Sequence, residues 1–444
     1  MKRITLEATD ENILEAIKTD ALNRASDICS FIEALDDIEG NMFISLDAGW
    51  GEGKTFFVRQ VETTLEYLTK RTWEAEDKNE KFNEMEPYFE NSKLNSIDLQ
   101  KSYLPIYYNA WLYDNHNDPL MSLVFEIIRK SEFYFDIKIS DQVGNPIEEL
   151  LSALSINAGP VSFSLQGIKE MKGTDILQSV RMAEEIRDIV KKILDEAIIE
   201  KAQRLVIFID ELDRCRPNYA IEMLERIKHY FDDERIIFVV SVNKAQLVHT
   251  ISNCYGYGFD STGYLNKFFD LNAHLPLLTE DNKRDLHIHI YNSEQRLLMM
   301  VINDLIDYYK LSLRDVLIFK QRMEKISMNV ANGFSQEGKC LSLFIPIITV
   351  LDITNQEEKK KFINGNSRIL ETICRQVPAI RRMLKGFIRV GVNEDAFEIA
   401  LRELIKIYEY IFKESDNEVS SDYIGAMSSD LKRICINACN GFKE

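Results

Sequence analysis

Two runs, RLVIFID (204–210) and RIIFVVSVN (235–243), constrain the fold of this chain more than any other feature. Their apolar residues are continuous instead of alternating. A strand of that kind is covered on both faces, as in a parallel sheet packed between helices. NMFISL (41–46) and LPIYYN (104–109) read as two further strands. Helical patterns follow them at about 54–68 and 118–130, and Pro217 opens another. The expected fold is α/β, a three-layer sandwich around a mostly parallel sheet.

Other segments frame this core. Residues 11–40 read as helical, from the spacing of Ile13, Ile17, Leu22, Ile28, Phe31 and Leu35. The acid-rich stretch 70–100 reads as a polar surface insertion, at most a solvated helix. Residues 135–175 are irregular, with GPVSFSL (159–165) patterned as an edge strand or hairpin arm, and 174–203 is a long helical pattern. Strand signals fade beyond about 280. The expected division is an α/β domain over 1–280 and an all-α lid or partner-docking domain over 281–444.

A formal charge of −18 argues against a protein that grips nucleic acid through its overall field. Seven cysteines, an odd number without paired CxxC units, suggest neither a disulfide framework nor a zinc site. The acidic N-terminus does not read as a signal peptide. The most apolar run, LSLFIPIITVLDI (341–353), is too short to span a bilayer and contains Pro346. The expected location is the cytoplasm.

The chemistry begins at LDAGWGEGKTFF (46–57), between a strand and a helix. A phosphate-binding loop has glycine, four residues, then Gly-Lys-Ser/Thr. Gly53, Lys54 and Thr55 fit, but Ala48 stands where the first glycine is usual. An alanine suffices there if its backbone is ordinary. Backbone N–H groups from Gly49 through Trp50, Gly51, Glu52 and Gly53 would cradle phosphates, and Phe56 continues the helix whose positive end faces them. Lys54 would reach the β- and γ-phosphates, and Thr55 would give its hydroxyl to Mg²⁺. At the end of RLVIFID, Asp210 would organise Mg²⁺ and Glu211 would act as general base toward water. Asn243, ending VVSVN, either touches the γ-phosphate or caps the following helix.

Several blocks together resemble the KAP P-loop NTPases, a family that includes an animal neuronal scaffold and a bacterial phage-exclusion protein. They are AGWGEGKT, YYNAWLYDNHNDPL (107–120), IDELDRCRPNYAIEMLERIKHYF (209–231), VVSVNKAQLV and GYLNKFFDLNAHLP (263–276). The resemblance implies an additional-strand ATPase core of the AAA+ and signalling-ATPase kind, followed by a helical lid. It implies ATP and Mg²⁺ as ligands, assembly into homo- or hetero-oligomers, and protein partners in antiphage defence. It places Arg214 and Arg216 in a family motif, as γ-phosphate-reaching arginines or as structural ones. Arg381 and Arg382 resemble the family's proline-arginine segment, as a sensor or as a solvated face. Two departures stand out: no membrane helices lie between loop and acids, and Asp210-Glu211 replaces a frequent Asp-Asp. The function expected is ATP hydrolysis driving partner assembly or remodelling; the alternative is a nucleotide-held switch with negligible turnover.

Overall fold

The computed structural model describes residues 7–74, 80–115, 118–135, 187–188, 190–192, 195, 202–276, 278, 296–327, 336–385, 396–413 and 430–440. They divide into two compact units, which meet in sequence between Leu277 and Leu278.

The first unit is built on five parallel strands: β1 (Met42–Asp47), β2 (Tyr103–Asn109), β3 (Arg204–Asp210), β4 (Ile236–Val242) and β5 (Leu271–His274). Their order is β2-β3-β4-β1-β5. Strand β4 therefore lies between the strand that delivers the loop and the strand that carries the acids, as an additional-strand core requires. Strands β3 and β4 are buried at every position, which is why their sequences are continuous apolar runs.

Side chains alternate across the sheet and feed two cores. On one face α1 (Asp10–Thr19), α2 (Ala25–Asp36), α3 (Lys54–Arg71) and α4 (Glu80–Phe89) bring Ile13, Ile28, Val58 and Phe82 into one cluster with Ile44, Phe208 and Ile237. On the other, α5 (Pro119–Phe135), α6 (Pro217–Tyr230), α7 (Lys244–Tyr255) and α8 (Ser261–Asn266) bring Leu123, Leu224, Leu247 and Leu265 together with Ile207, Ile209 and Phe238.

Three expectations need correction. The helical stretch 11–40 is two helices, because Asp20, Leu22 and Asn23 take positive φ and turn the chain. Asp20 Oδ1 then accepts the Ala25 N–H at 2.9 Å and opens α2. The stretch 70–100 is not a solvated insertion. Phe82, Met85 and Phe89 lie on one face of α4 and are almost fully buried, with Phe82 and Phe89 stacked on Tyr67. Three well-spaced apolar residues outweigh the acids between them, which stay on the outer face. Strand β5 was not anticipated, since LNAH is four residues long and mostly exposed. GPVSFSL and most of 174–203 lie outside the described residues.

Among the described residues, the second unit is helical: α9 (Arg296–Tyr309), α10 (Leu313–Ser327), α11 (Gln336–Thr354), α12 (Gln356–Ile363), α13 (Ile369–Gln376), α14 (Pro378–Lys385), α15 (Ala396–Phe412) and α16 (Leu431–Asn440). The apolar run 341–353 is the middle of α11, with Pro346 inside it. Its Leu343, Phe344, Ile347, Ile348 and Leu351 are core residues. No helix among the described residues is long and apolar enough to cross a membrane.

Candidate functional site

Parallel strands place all their carboxyl ends on one edge of the sheet, where ligands of α/β folds bind. The register puts Asn109 beside Asp210, Asp210 beside Ser241, and Asp47 between Val242 and His274. Residues from all five strands thus reach the same edge.

The loop leaves β1 at Asp47 and enters α3 at Lys54. Gly51 (φ +82°) and Gly53 (φ +87°) occupy the left-handed region, where a Cβ is strained. Ala48 does not; its N–H bonds the Val242 carbonyl at 3.2 Å, so a methyl group there meets no conformational penalty. Gly53 caps α3 without a side-chain hydrogen bond, leaving the first N–H groups of α3 for a ligand. Lys54 is nearly buried and its Nζ donates to the carbonyls of Ala48 (2.7 Å) and Gly49 (3.1 Å). Burial pulls its pKa down, against the opposing pull of Asp213, Asp210, Glu211 and Asp47.

The acids face this loop. Asp210 is 1% exposed. Its Oδ2 accepts the Tyr107 hydroxyl at 3.1 Å. Glu211 has left the strand with φ 62°, a left-handed conformation rare outside glycine. Its Oε1 accepts the Thr55 hydroxyl at 3.1 Å and its Oε2 pairs with Arg214 Nε. Burial, then the charge of Asp210, pushes the Glu211 carboxyl up; Arg214 and Thr55 pull it down by less.

Trp50 is half exposed and donates its indole N–H to Asp213 Oδ2, tying the loop to the segment after the acids. Arg214 also lies 5.6 Å from the ring of exposed Trp111. Arg216 is bound within the chain: its N–H and Nε donate to Asp114 Oδ1 at 3.0 and 3.3 Å. Cys215 is packed and buried, and burial raises its thiol pKa.

The remaining candidates fall in different places. Asn243 is the N-cap of α7, its Oδ1 accepting the Gln246 N–H at 3.2 Å. Glu52 and Phe56 are half-buried beside Lys54 and Thr55, and Phe56 packs on the core. Arg381 and Arg382 belong to α14 of the second unit, both exposed, with Arg381 5.1 Å from the Phe397 ring. Tyr107, Asp213 and Asp114 hold Asp210, Trp50 and Arg216. All three stood inside quoted blocks, Asp213 at the head of a motif run, but none was given its role, because side-chain pairing between distant segments leaves no spacing signal. Asp47 was missed too: its Oδ1 accepts the Lys244 N–H at 2.9 Å.

This donor set suits Mg²⁺ in partnership with a phosphate. Among the described residues no group of three or more His, Cys, Asp and Glu could hold a metal ion. Mg²⁺ needs fewer, taking one or two protein oxygens and completing its shell with phosphates and water. Asp210 and Thr55 offer such oxygens, and no hydrogen bond from the described residues reaches Asp210 Oδ1.

Residues 24–320 match the KAP family P-loop domain. The chain belongs to that family. P-loop NTPases as a class bind and hydrolyse nucleoside triphosphates. Among curated proteins none matches the chain. A solved structure titled "Structure of C. elegans PCH-2" is similar at 9% identity and TM-score 0.21, over 90% of this chain and 71% of that one. At that score the likeness carries no argument.

Proposed function

We propose that this KAP-family chain is a Mg²⁺-dependent ATPase whose nucleotide cycle drives assembly or remodelling of protein partners. The observation that carries the reading is the convergence of Lys54, Thr55, Asp210 and Glu211 at one sheet edge, with Thr55 3.1 Å from Glu211.

The geometry supports the following roles. Gly51 and Gly53 curl the loop so that its N–H groups and the start of α3 hold the β- and γ-phosphates. Lys54 exchanges two loop carbonyls for phosphate oxygens. Thr55 and Asp210 would hold Mg²⁺, which would supply charge neutralisation to the phosphates. Glu211 leaves Thr55 and takes a proton from water as that oxygen attacks the γ-phosphorus and the bond to the bridging oxygen breaks. A raised carboxyl pKa serves a base that must accept this proton. The cap occupies the Asn243 Oδ1, so a contact with the γ-phosphate would come from its amide NH2.

Trp50, Trp111 and Leu112 expose apolar surface beside Asp213 and Arg214, which supports contact with other subunits, in a homo- or hetero-oligomer. The antiphage setting rests on the family resemblance. A second reading, a nucleotide-held switch with negligible turnover, is favoured by the pairing of Glu211 with both Thr55 and Arg214. Phosphate release from ATP and GTP, with Mg²⁺ or with chelator, tests the main reading on wild type and Lys54→Ala. ATP turnover that needs both Mg²⁺ and Lys54 supports it. Nucleotide binding without turnover moves the account to the switch, and no nucleotide binding ends both.

A further inference from the structure

The role of Asp210 depends on how its carboxylate is turned, and one hydroxyl bonds it. Tyr107 and Asp210 lie on adjacent strands, where Tyr107 pairs with Phe208 and Asn109 pairs with Asp210. They are diagonal neighbours two residues apart, within reach of a long side chain on the same face. The face is the one covered by α3, since Phe208 and the ring of Tyr107 belong to that core.

We propose that Tyr107 is a positioning residue for metal binding: its hydroxyl fixes Asp210 Oδ2 and so directs Oδ1 toward the Mg²⁺ that accompanies the nucleotide. Asp210 is almost fully buried, and the tyrosine at 3.1 Å is its hydrogen-bond donor among the described residues. A carboxylate held at one oxygen presents the other in a defined direction, the usual way a neighbour orients a metal ligand.

The ring itself is held from behind. The Arg59 guanidinium lies 4.7 Å from its centroid. Arg59 pairs with Glu62 and with Asp10 of α1. Glu62, fully buried, pairs with Lys130 of α5 at 2.9 Å. Three helices thus brace one aromatic ring behind Asp210. A ring needed only to fill space could be phenylalanine; the hydroxyl is the part that touches the acid.

The inference rests on the nucleotide reading above, and its test separates the two. Tyr107→Phe keeps the ring and its Arg59 contact and removes the hydroxyl. Nucleotide binding, followed by Trp50 and Trp111 fluorescence, is measured in chelator and across a Mg²⁺ titration. Expected is a rise of about tenfold in the Mg²⁺ concentration at half-saturation, the size of one hydrogen bond to a charged group, with metal-free affinity unchanged. Tyr108→Phe, whose hydroxyl meets Tyr219 on the opposite face, should leave the Mg²⁺ midpoint at the wild-type value. An unchanged midpoint in Tyr107→Phe overturns the proposal. So does an equal loss with and without metal, which would mark a merely structural role. Failure of wild type to bind nucleotide would instead sink the functional reading.

Discussion

Which glycines of the loop matter can be tested one residue at a time. Only Gly51 and Gly53 take positive φ, at +82° and +87°. A Cβ in that region costs about 1–2 kcal/mol, so Gly51→Ala and Gly53→Ala should each lose that much stability. In a unit of this size the thermal midpoint falls by about 2–4 °C per kcal/mol. Gly49 differs: its φ is not positive, and a Cβ would meet Glu52 Cγ at an ordinary 3.5 Å. Gly49→Ala should therefore be neutral, or stabilising by about 0.4–1 kcal/mol through the unfolded chain. Ala48→Gly should leave nucleotide affinity unchanged. The assay is thermal unfolding of the four variants beside nucleotide titration. Equal destabilisation by Gly49→Ala and Gly53→Ala would mean that positive φ is not what singles out Gly53. A large affinity gain in Ala48→Gly would show that the alanine compromises the loop.

Three further outcomes are expected. Lys130→Met removes one of the two cations paired with buried Glu62 and leaves Arg59, so it should destabilise by about 1–3 kcal/mol; denaturant melts with a Glu62→Gln/Lys130→Met double variant should recover much of it. If Glu211 is the base, turnover needs its carboxylate form. The raised pKa then puts the acid limb of the pH–rate profile above the ordinary glutamate range near about 4.3, and a limb at or below that value contradicts the assignment. Arg214→Ala removes a charge that lowers this pKa, so the same limb should move to still higher pH.

The sequence was most informative where the physics is local or strongly apolar. Strands β3 and β4 stood out because burial on both faces favours long apolar runs, and the loop because glycine suits the positive φ of Gly51 and Gly53. The site's own bonds were less visible. Nothing in DEL announces that Glu211 turns left-handed and meets Thr55, since that contact joins residues far apart in the chain. Asn243 could be read two ways from its strand-end position; the structure shows its capping bond. Arg216 carried a motif, and its clamp on Asp114 joins two of the blocks that carry the family resemblance, 107–120 and 209–231. Helix α4 was hidden because its three buried residues are diluted by acids that never enter the core. Strand β5 was hidden because an exposed edge imposes little pattern.

The central claim is that Glu211 does chemistry and does not merely close the site. The most direct measurement compares single-turnover ATP cleavage and Mg²⁺-nucleotide affinity in wild type and Glu211→Gln. Wild type should cleave ATP, and Glu211→Gln should bind it undiminished with cleavage slowed by about a hundredfold or more. Equal cleavage rates, or tight binding with no cleavage in either protein, would contradict the claim.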